Sequence, residues 1–131
     1  MICIDSDAII DYLKGRKGAT DLVKTYAGEI VTTEINVFEV YYGIYLKKNS
    51  SNKEETIANA FFNSIKVLPF DKPCGKIASK ILTGLFHIGK PIDQNDCLIA
   101  SIILRHGYDQ IITGNKKHFS RIKDLKVISY S

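Results

Sequence analysis

The sequence predicts an α/β protein built on a parallel β-sheet, and the opening residues carry the clearest reason. The apolar run 2–4 is a predicted buried strand that ends at Asp5, and an amphipathic helical pattern over 7–13 follows at once. Ser6 is the predicted N-cap of that helix. A strand that leads straight into a helix is typical of parallel sheets, in which ligands bind at the carboxyl ends of the strands.

Length and composition fit one folded domain over residues 1–131 with its own core. Apolar residues make up 45% and charged residues 24% of the chain, which is typical of globular proteins and not of disordered ones. We expect no membrane segment and no signal peptide, and therefore a cytoplasmic protein. The three cysteines form no CxxC pair, so buried thiols are favoured over a zinc site. The net charge of +4 permits a nucleic-acid partner without requiring one.

The remaining elements follow from periodicity and capping signals. Predicted helices cover 19–27, 34–47, 52–64, 72–88 and 94–106, and predicted strands cover 30–32, 67–68, 111–113 and 127–128. Thr33 is the predicted N-cap of the second of these helices, and Ser51 with Glu54 forms a capping box for the third. The polar stretch 47–52 is a predicted mobile loop. Residues expected to face the core are Ile57, Phe61, Ile77, Ile81, Leu85 and Ile88.

Three acids occupy otherwise apolar elements, namely Asp5, Glu39 and Asp96. Neither Lys nor Arg lies within these apolar segments, and carboxylates that share a buried site repel one another unless a cation joins them. Oxygen ligands favour Mg²⁺ or Mn²⁺. We therefore predict a divalent metal site that hydrolyses phosphodiester bonds. The alternatives are that Asp5 only caps a helix, that Glu39 is solvated, and that Asp96 only favours a helix N-terminus.

Further side chains are expected to support this site. Ser6, Asp93, Thr113 and Asn115 are candidates to support the metal ligands or to bind a phosphate oxygen, although an N-cap role is favoured for Asp93. Candidate phosphate contacts are Arg16, Lys17, Lys116 and Lys117. Phe38, Tyr41, Tyr42 and Tyr45 are expected to serve the core and an interface.

Four motifs in order carry a resemblance to a known family: the Ile-Asp5-Ser start, the Glu39-to-Gly43 segment, the segment from Asp96, and the Thr113-to-Phe119 segment. The chain resembles the VapC-type PIN-domain ribonuclease toxins. This resemblance implies a three-layer α/β/α fold, with a central parallel sheet of 4–5 strands and helices on both faces. It also implies that Asp5, Glu39 and Asp96 bind Mg²⁺ or Mn²⁺, an RNA substrate, a VapB-like antitoxin, and a homodimer.

One departure from the family concerns the segment after the fourth strand, where many members carry a further acid. Asn115 is neutral here, and it stays open whether Asn115 or His118 replaces that acid. His118 could contribute to the site, although a surface or packing role beside the core residue Phe119 is favoured. Three alternatives stay open at this point: a PIN nuclease of RNA maturation without an antitoxin, a receiver-like acidic pocket, and a domain that only binds.

Overall fold

A computed structural model describes residues 1–49 and 52–130, so the predicted capping box of Ser51 with Glu54 lies outside the described residues. The strands are β1 (Ile2–Ile4), β2 (Ile30–Thr33), β3 (Lys66–Leu68), β4 (Gln110–Ile112) and β5 (Lys126–Ile128). The helices are α1 (Ser6–Leu13), α2 (Lys17–Thr25), α3 (Glu34–Leu46), α4 (Asn52–Ser64), α5 (Cys74–His87), α6 (Gln94–Arg105) and α7 (Lys116–Phe119).

The five strands form one parallel sheet in the order β3-β2-β1-β4-β5. Cys3 of the central strand lies opposite Val31 on one side and Ile111 on the other. The chain therefore builds one half of the sheet outward from β1, and then crosses back to start the other half at β4. Such a reversal is the point at which open α/β sheets bind ligands. Receiver-type proteins have the order 2-1-3-4-5, so the topology argues against the receiver-like alternative.

Helices cover both faces of the sheet, as expected. Successive residues of a strand point to opposite faces, and β1 accordingly places Cys3 in one buried cluster with residues of α5 and α6. Ile2 and Ile4 enter a second cluster with residues of α1, α3 and α4. Each fully buried aliphatic side chain contributes about 1.5–3 kcal/mol, so these two clusters hold the layers together.

Several predictions about individual residues need correction. Ser6 is the first residue of α1 and Asp5 is its N-cap, although the Asp5 side chain makes no capping hydrogen bond. Ile57 on α4 is 39% exposed, and Ile88, the residue after α5, is 65% exposed, so neither is a core residue as predicted. The short helix α7 was not predicted, since four residues are too few to show a periodicity.

Other predictions hold. Thr33 caps α3 through a capping box with Asn36, and all three cysteines are buried free thiols. The aromatic face of α3, by contrast, contributes little to the core: Phe38, Tyr42 and Tyr45 are more than half exposed. None of the helices in the described part of the chain combines the length and apolarity that a membrane crossing requires.

Candidate functional site

Asp5 lies at the carboxyl end of β1, at the point where the sheet reverses direction. Its backbone N–H donates to the carbonyl of Ile112 at 2.9 Å, which sets the side chain beside the end of β4. Asn36 Nδ2 donates to Oδ1 at 3.0 Å and Thr113 Oγ1 contacts Oδ2 at 2.8 Å. Burial, and then the charge of Asp7, raise the pKa of this carboxyl to about 8. The carboxyl is therefore largely protonated at neutral pH unless a cation joins it.

Asn36 orients this acid from the first turn of α3, and sequence reasoning missed it. It is fully buried, and its amide oxygen accepts from the backbone N–H of Thr33 at 3.3 Å and from the Thr33 hydroxyl at 2.7 Å. Its amide nitrogen is then free to donate to Asp5 and, at 2.9 Å, to Ser6 Oγ. The signal was present in the sequence, because Thr33 and Asn36 have the spacing of a capping box.

Glu39 lies one turn further along α3 and is half-buried. Ser6 Oγ donates to its Oε1 at 2.7 Å, and Asn95 Nδ2 donates to its Oε2 at 3.3 Å. These contacts explain why Ser6 does not cap α1: its hydroxyl accepts from Asn36 and donates to Glu39. A continuous set of hydrogen bonds thus joins Asp5 to Glu39.

Asp96 is the third residue of α6 and is 8% exposed. Burial raises its pKa in spite of a contact with His118, whose Nδ1 lies 2.8 Å from Oδ2. His118 therefore contacts one of the candidate site acids, a contribution that the sequence left open beside the favoured surface or packing role. Asn115 Nδ2 lies 3.1 Å from the same ring nitrogen. Asp93 occupies the N-cap position of α6, as predicted, but its exposed side chain makes no capping hydrogen bond.

Asp7 is a second residue of the site region that sequence reasoning missed, after Asn36. Its Oδ1 lies 3.3 Å from Thr113 Oγ1 and accepts from the backbone N–H of Gly114, also at 3.3 Å. The Thr113 hydroxyl accepts from the backbone N–H of Asn115 at 2.9 Å. Asp7 therefore fixes the turn after β4 against α1, beside Asp5. The signal was an acid two residues past Asp5, at the same end of the sheet.

Comparison with known families agrees with this geometry: residues 2–125 match the PIN domain. The chain belongs to the PIN domain family. It is 30% identical over 129 residues to "Ribonuclease VapC1" of Methanocaldococcus jannaschii, covering 98% of this chain and 86% of that protein. It is 35% identical over 99 residues to "Ribonuclease VapC3" of the same organism, covering 76% of this chain and 94% of that protein.

Solved structures agree on the fold. The PIN domain superposes on a chain of VapBC2 from Rickettsia felis bound to a promoter DNA fragment, with a TM-score of 0.87, 22% identity and full coverage of both chains. A chain of VapBC-1 from nontypeable Haemophilus influenzae gives a TM-score of 0.80 at 25% identity, with 98% of both chains covered. The three-layer architecture with a parallel sheet is therefore that of the family.

The predicted basic residues of this PIN domain fall into two groups. Arg16 Nε lies 3.2 Å from Asp11, and Lys17 Nζ lies 2.8 Å from Asp21, so each has an acidic partner near its own helix. Lys116 and Lys117 are exposed on α7, the helix that carries His118. The second pair is thus close in sequence to His118, which contacts Asp96, whereas the first pair forms ion pairs with Asp11 and Asp21.

The acids of this PIN domain fit a divalent cation. Within residues 1–49 and 52–130, no Lys or Arg lies within ion-pair distance of Asp5, Glu39 or Asp96. Two of these carboxyls, Asp5 and Asp96, are buried, and burial raises the pKa of each. Among the described residues, the group of three whose ligand atoms all lie within 4.8 Å of one another is Asp93, Asp96 and His118, and it does not include Asp5 or Glu39. Such a donor set can hold a metal ion.

Proposed function

We propose that this chain is a metal-dependent endoribonuclease that hydrolyses RNA phosphodiester bonds, and the toxin of a VapBC-like toxin–antitoxin pair. The observation that carries the proposal is a group of acids at the reversal point of the sheet that has no Lys or Arg partner among the described residues. Asp5 arrives from β1, Glu39 from α3 and Asp96 from α6. The family and the names of the two ribonuclease relatives support the reaction.

Asp5, Glu39 and Asp96 would hold Mg²⁺ or Mn²⁺, which polarises a phosphoryl group and lowers the pKa of a water molecule when bound. The surrounding residues keep two of these acids in fixed positions. Asn36 and Thr113 hold the two oxygens of Asp5 at 3.0 and 2.8 Å, and Ser6 holds Glu39 at 2.7 Å. Because these contacts exist before any ligand binds, little rearrangement is needed to form the site.

The substrate side of the site is formed by the turn after β4 and by α7. The backbone of this turn is fixed by Asp7 and by the Thr113 hydroxyl. Lys116 and Lys117 are exposed on the following helix and supply positive charge without an acidic partner among the described residues. Lysines of this kind position an RNA backbone without reading its sequence.

An apolar groove on the surface supports the proposal of an antitoxin partner. The groove has a volume of about 240 Å³ and lies between α1, α3 and α4, lined by Ile10, Leu13, Val40, Gly43, Ile44 and Ile57, with Lys14, Lys47 and Glu54 at its edge. Gly43 leaves the groove open, since a Cβ at this position would meet no atom of the described residues within 4 Å. An amphipathic helix of an antitoxin can bury its apolar face in such a groove.

The tyrosine-bearing face of α3 is a separate surface. Phe38 and Tyr42 stack with their ring centroids 5.8 Å apart, and with Tyr41, Tyr45 and Leu46 they line a shallow depression. This exposed aromatic face supports an interface, either with the antitoxin or with a second copy of the chain in the homodimer that the family resemblance implies. Both assignments stay predictions.

Catalysis is tested by three shape-conserving variants, Asp5→Asn, Glu39→Gln and Asp96→Asn. Each should abolish Mg²⁺- or Mn²⁺-dependent RNA cleavage while the circular dichroism spectrum stays native, because each removes charge that would hold the metal. Asp124→Asn changes an exposed acid and serves as the control. Near-normal cleavage by a folded variant would remove that acid from the site.

The partner is tested with the product of the neighbouring reading frame. Ile57→Lys places a charge in the groove and should weaken binding of that product at least about tenfold, with RNA cleavage unchanged, because a buried unpaired charge is costly. Ile88→Lys changes an aliphatic residue that is 65% exposed and outside the groove, and it should bind normally. RNA cleavage without any binding of the neighbouring product would favour a nuclease of RNA maturation instead.

A further inference from the structure

One cluster near the candidate site includes a nitrogen ligand. Asp93, Asp96 and His118 each offer a ligand atom, and these atoms lie within 4.8 Å of one another. His118 stands 22 residues after Asp96 in sequence, on a different helix. The carboxylates alone form an oxygen site, so the imidazole would change which metal ion the site prefers.

The spacing suits one ion. Two ligand atoms at about 2.1 Å from an octahedral ion are about 3.0 Å apart when adjacent and about 4.2 Å apart when opposite. The distance of 2.8 Å between His118 Nδ1 and Asp96 Oδ2 is near the adjacent value. The ligand atom of Asp93 lies within 4.8 Å of both other ligand atoms, so Asp93 can be adjacent or opposite to either of them.

The imidazole is held in place by the fold. Phe119, the next residue, is fully buried and anchors α7 to the core beneath α6. Asn115, at the N-cap of α7, places its Nδ2 3.1 Å from His118 Nδ1. The ring nitrogen thus faces an amide on one side and the Asp96 carboxylate on the other, and the side chain is only 27% exposed.

We propose that His118 is a direct ligand of the divalent metal in this chain, together with Asp96 and Asp93, and that it makes the site prefer Mn²⁺ over Mg²⁺. Mg²⁺ binds almost entirely through oxygen, whereas imidazole is a common ligand of first-row transition metals. The proposal rests on the metal site of the proposed function and adds to it a ligand and a metal preference. The competing explanation is that His118 only orients Asp96 by a hydrogen bond, outside the metal's coordination.

Pulsed electron paramagnetic resonance of bound Mn²⁺ separates these two explanations without any RNA. A directly bound imidazole gives a nitrogen coupling, and we expect that coupling in the unaltered protein. It should vanish in His118→Phe, which keeps a ring but lacks nitrogen, and it should persist in the control His87→Phe on α5. Circular dichroism checks the fold of each variant, and the measurement on the unaltered protein needs no variant at all.

Calorimetric titration with Mn²⁺ and with Mg²⁺ supplies the second readout. In His118→Phe the affinity for Mn²⁺ should fall at least about tenfold, the loss that removal of even a supporting residue causes, and the affinity for Mg²⁺ should change less. In His118→Asp the preference should shift toward Mg²⁺, because an oxygen replaces the nitrogen.

Absence of the nitrogen coupling in the unaltered protein, or its persistence in His118→Phe, would overturn the proposal. So would an equal loss of affinity for both ions. RNA cleavage in Mg²⁺ is then measured separately, because a chain that cleaves RNA but shows no nitrogen coupling would keep the proposed function and lose only the His118 ligand.

Discussion

Replacing Asp5 by Asn should remove a pH-dependent loss of stability from the metal-free protein. Asp5 is 5% exposed, and burial raises its pKa from 3.8 to about 8. In the unfolded chain the carboxyl loses its proton near the lower value, whereas in the folded chain it keeps the proton up to the higher one. Between these values the folded state binds more protons than the unfolded state, so the free energy of unfolding falls as the pH rises.

The size of the effect follows from the same two pKa values. One proton of difference lowers the free energy of unfolding by up to about 1.4 kcal/mol per pH unit. From about pH 4.5 to about pH 7.5 the loss amounts to roughly 4 kcal/mol at most. For a chain of this length 1 kcal/mol corresponds to about 4 °C in Tm, so the loss approaches roughly 15 °C. Asn at this position does not titrate and should not show it.

The assay is urea unfolding in the presence of a chelator, across this pH range, for the unaltered protein and for Asp5→Asn. The comparison uses the slopes of the unfolding free energy against pH and not its absolute values. Asn also replaces one of the two oxygens that accept from Asn36 and Thr113, and this loss shifts the stability at every pH. Asp124→Asn is the control and should run parallel to the unaltered protein. Added Mn²⁺ should stabilise the unaltered protein by about 2.7 kcal/mol at a hundredfold excess over Kd, and it should stabilise Asp5→Asn less.

Parallel pH profiles for the unaltered protein and Asp5→Asn would refute this reasoning, since they would show that Asp5 titrates alike in the folded and unfolded chain. An equal gain from Mn²⁺ in both proteins would separately remove Asp5 from the metal site.

Two further substitutions test the hydrogen bonds around the site. Gly114→Ala places a Cβ 2.9 Å from Asp7 Oδ2, so it should destabilise the protein by about 1–2 kcal/mol in urea unfolding and slow RNA cleavage. The control is Gly84→Ala in α5, whose added Cβ meets no described atom within 4 Å. It should stabilise the protein by about 0.5–1 kcal/mol, and equal effects of the two substitutions would contradict the close approach of Gly114 to Asp7. Asn36→Leu removes the amide donor to Asp5 Oδ1 and breaks the capping box. Thermal melting should therefore show a loss of about 1–3 kcal/mol, and a neutral result would show that the amide does not support the acid.

Much of the fold was predictable because its signals are local. The strands are short runs rich in Ile and Val, and β1 ends immediately before Asp5, which the sequence already marks as a site residue. Exposure was harder to predict, since periodicity shows which residues share a helix face but not whether another layer covers it. Ile57 and Ile88 have the spacing of core residues, yet Ile57 is 39% exposed and Ile88 is 65% exposed.

The sequence marked the three acids as candidates, and it also marked Ser6 and Thr113, which contact Glu39 and Asp5, but it did not mark Asn36 or Asp7. Asp5, Glu39 and Asp96 stand out because each interrupts an apolar segment. Asn36 resembles an ordinary polar residue in a first helical turn, and its role appears only when β1 and α3 lie side by side. His118 meets Asp96 for the same reason, since the two residues are brought together by the packing of α7 on α6.

The contact between Asp5 and Thr113 joins residues 108 positions apart, and this has a consequence for the order of events during synthesis. The segments that form the apolar groove end at residue 57, whereas the turn after β4 and α7 are among the last to be made. Chains fold from the N-terminus as they emerge, and contacts between distant residues form late. A ribosome therefore carries a chain without a complete candidate site for most of its synthesis, and the groove proposed to bind the antitoxin leaves the ribosome before the proposed nuclease site can close.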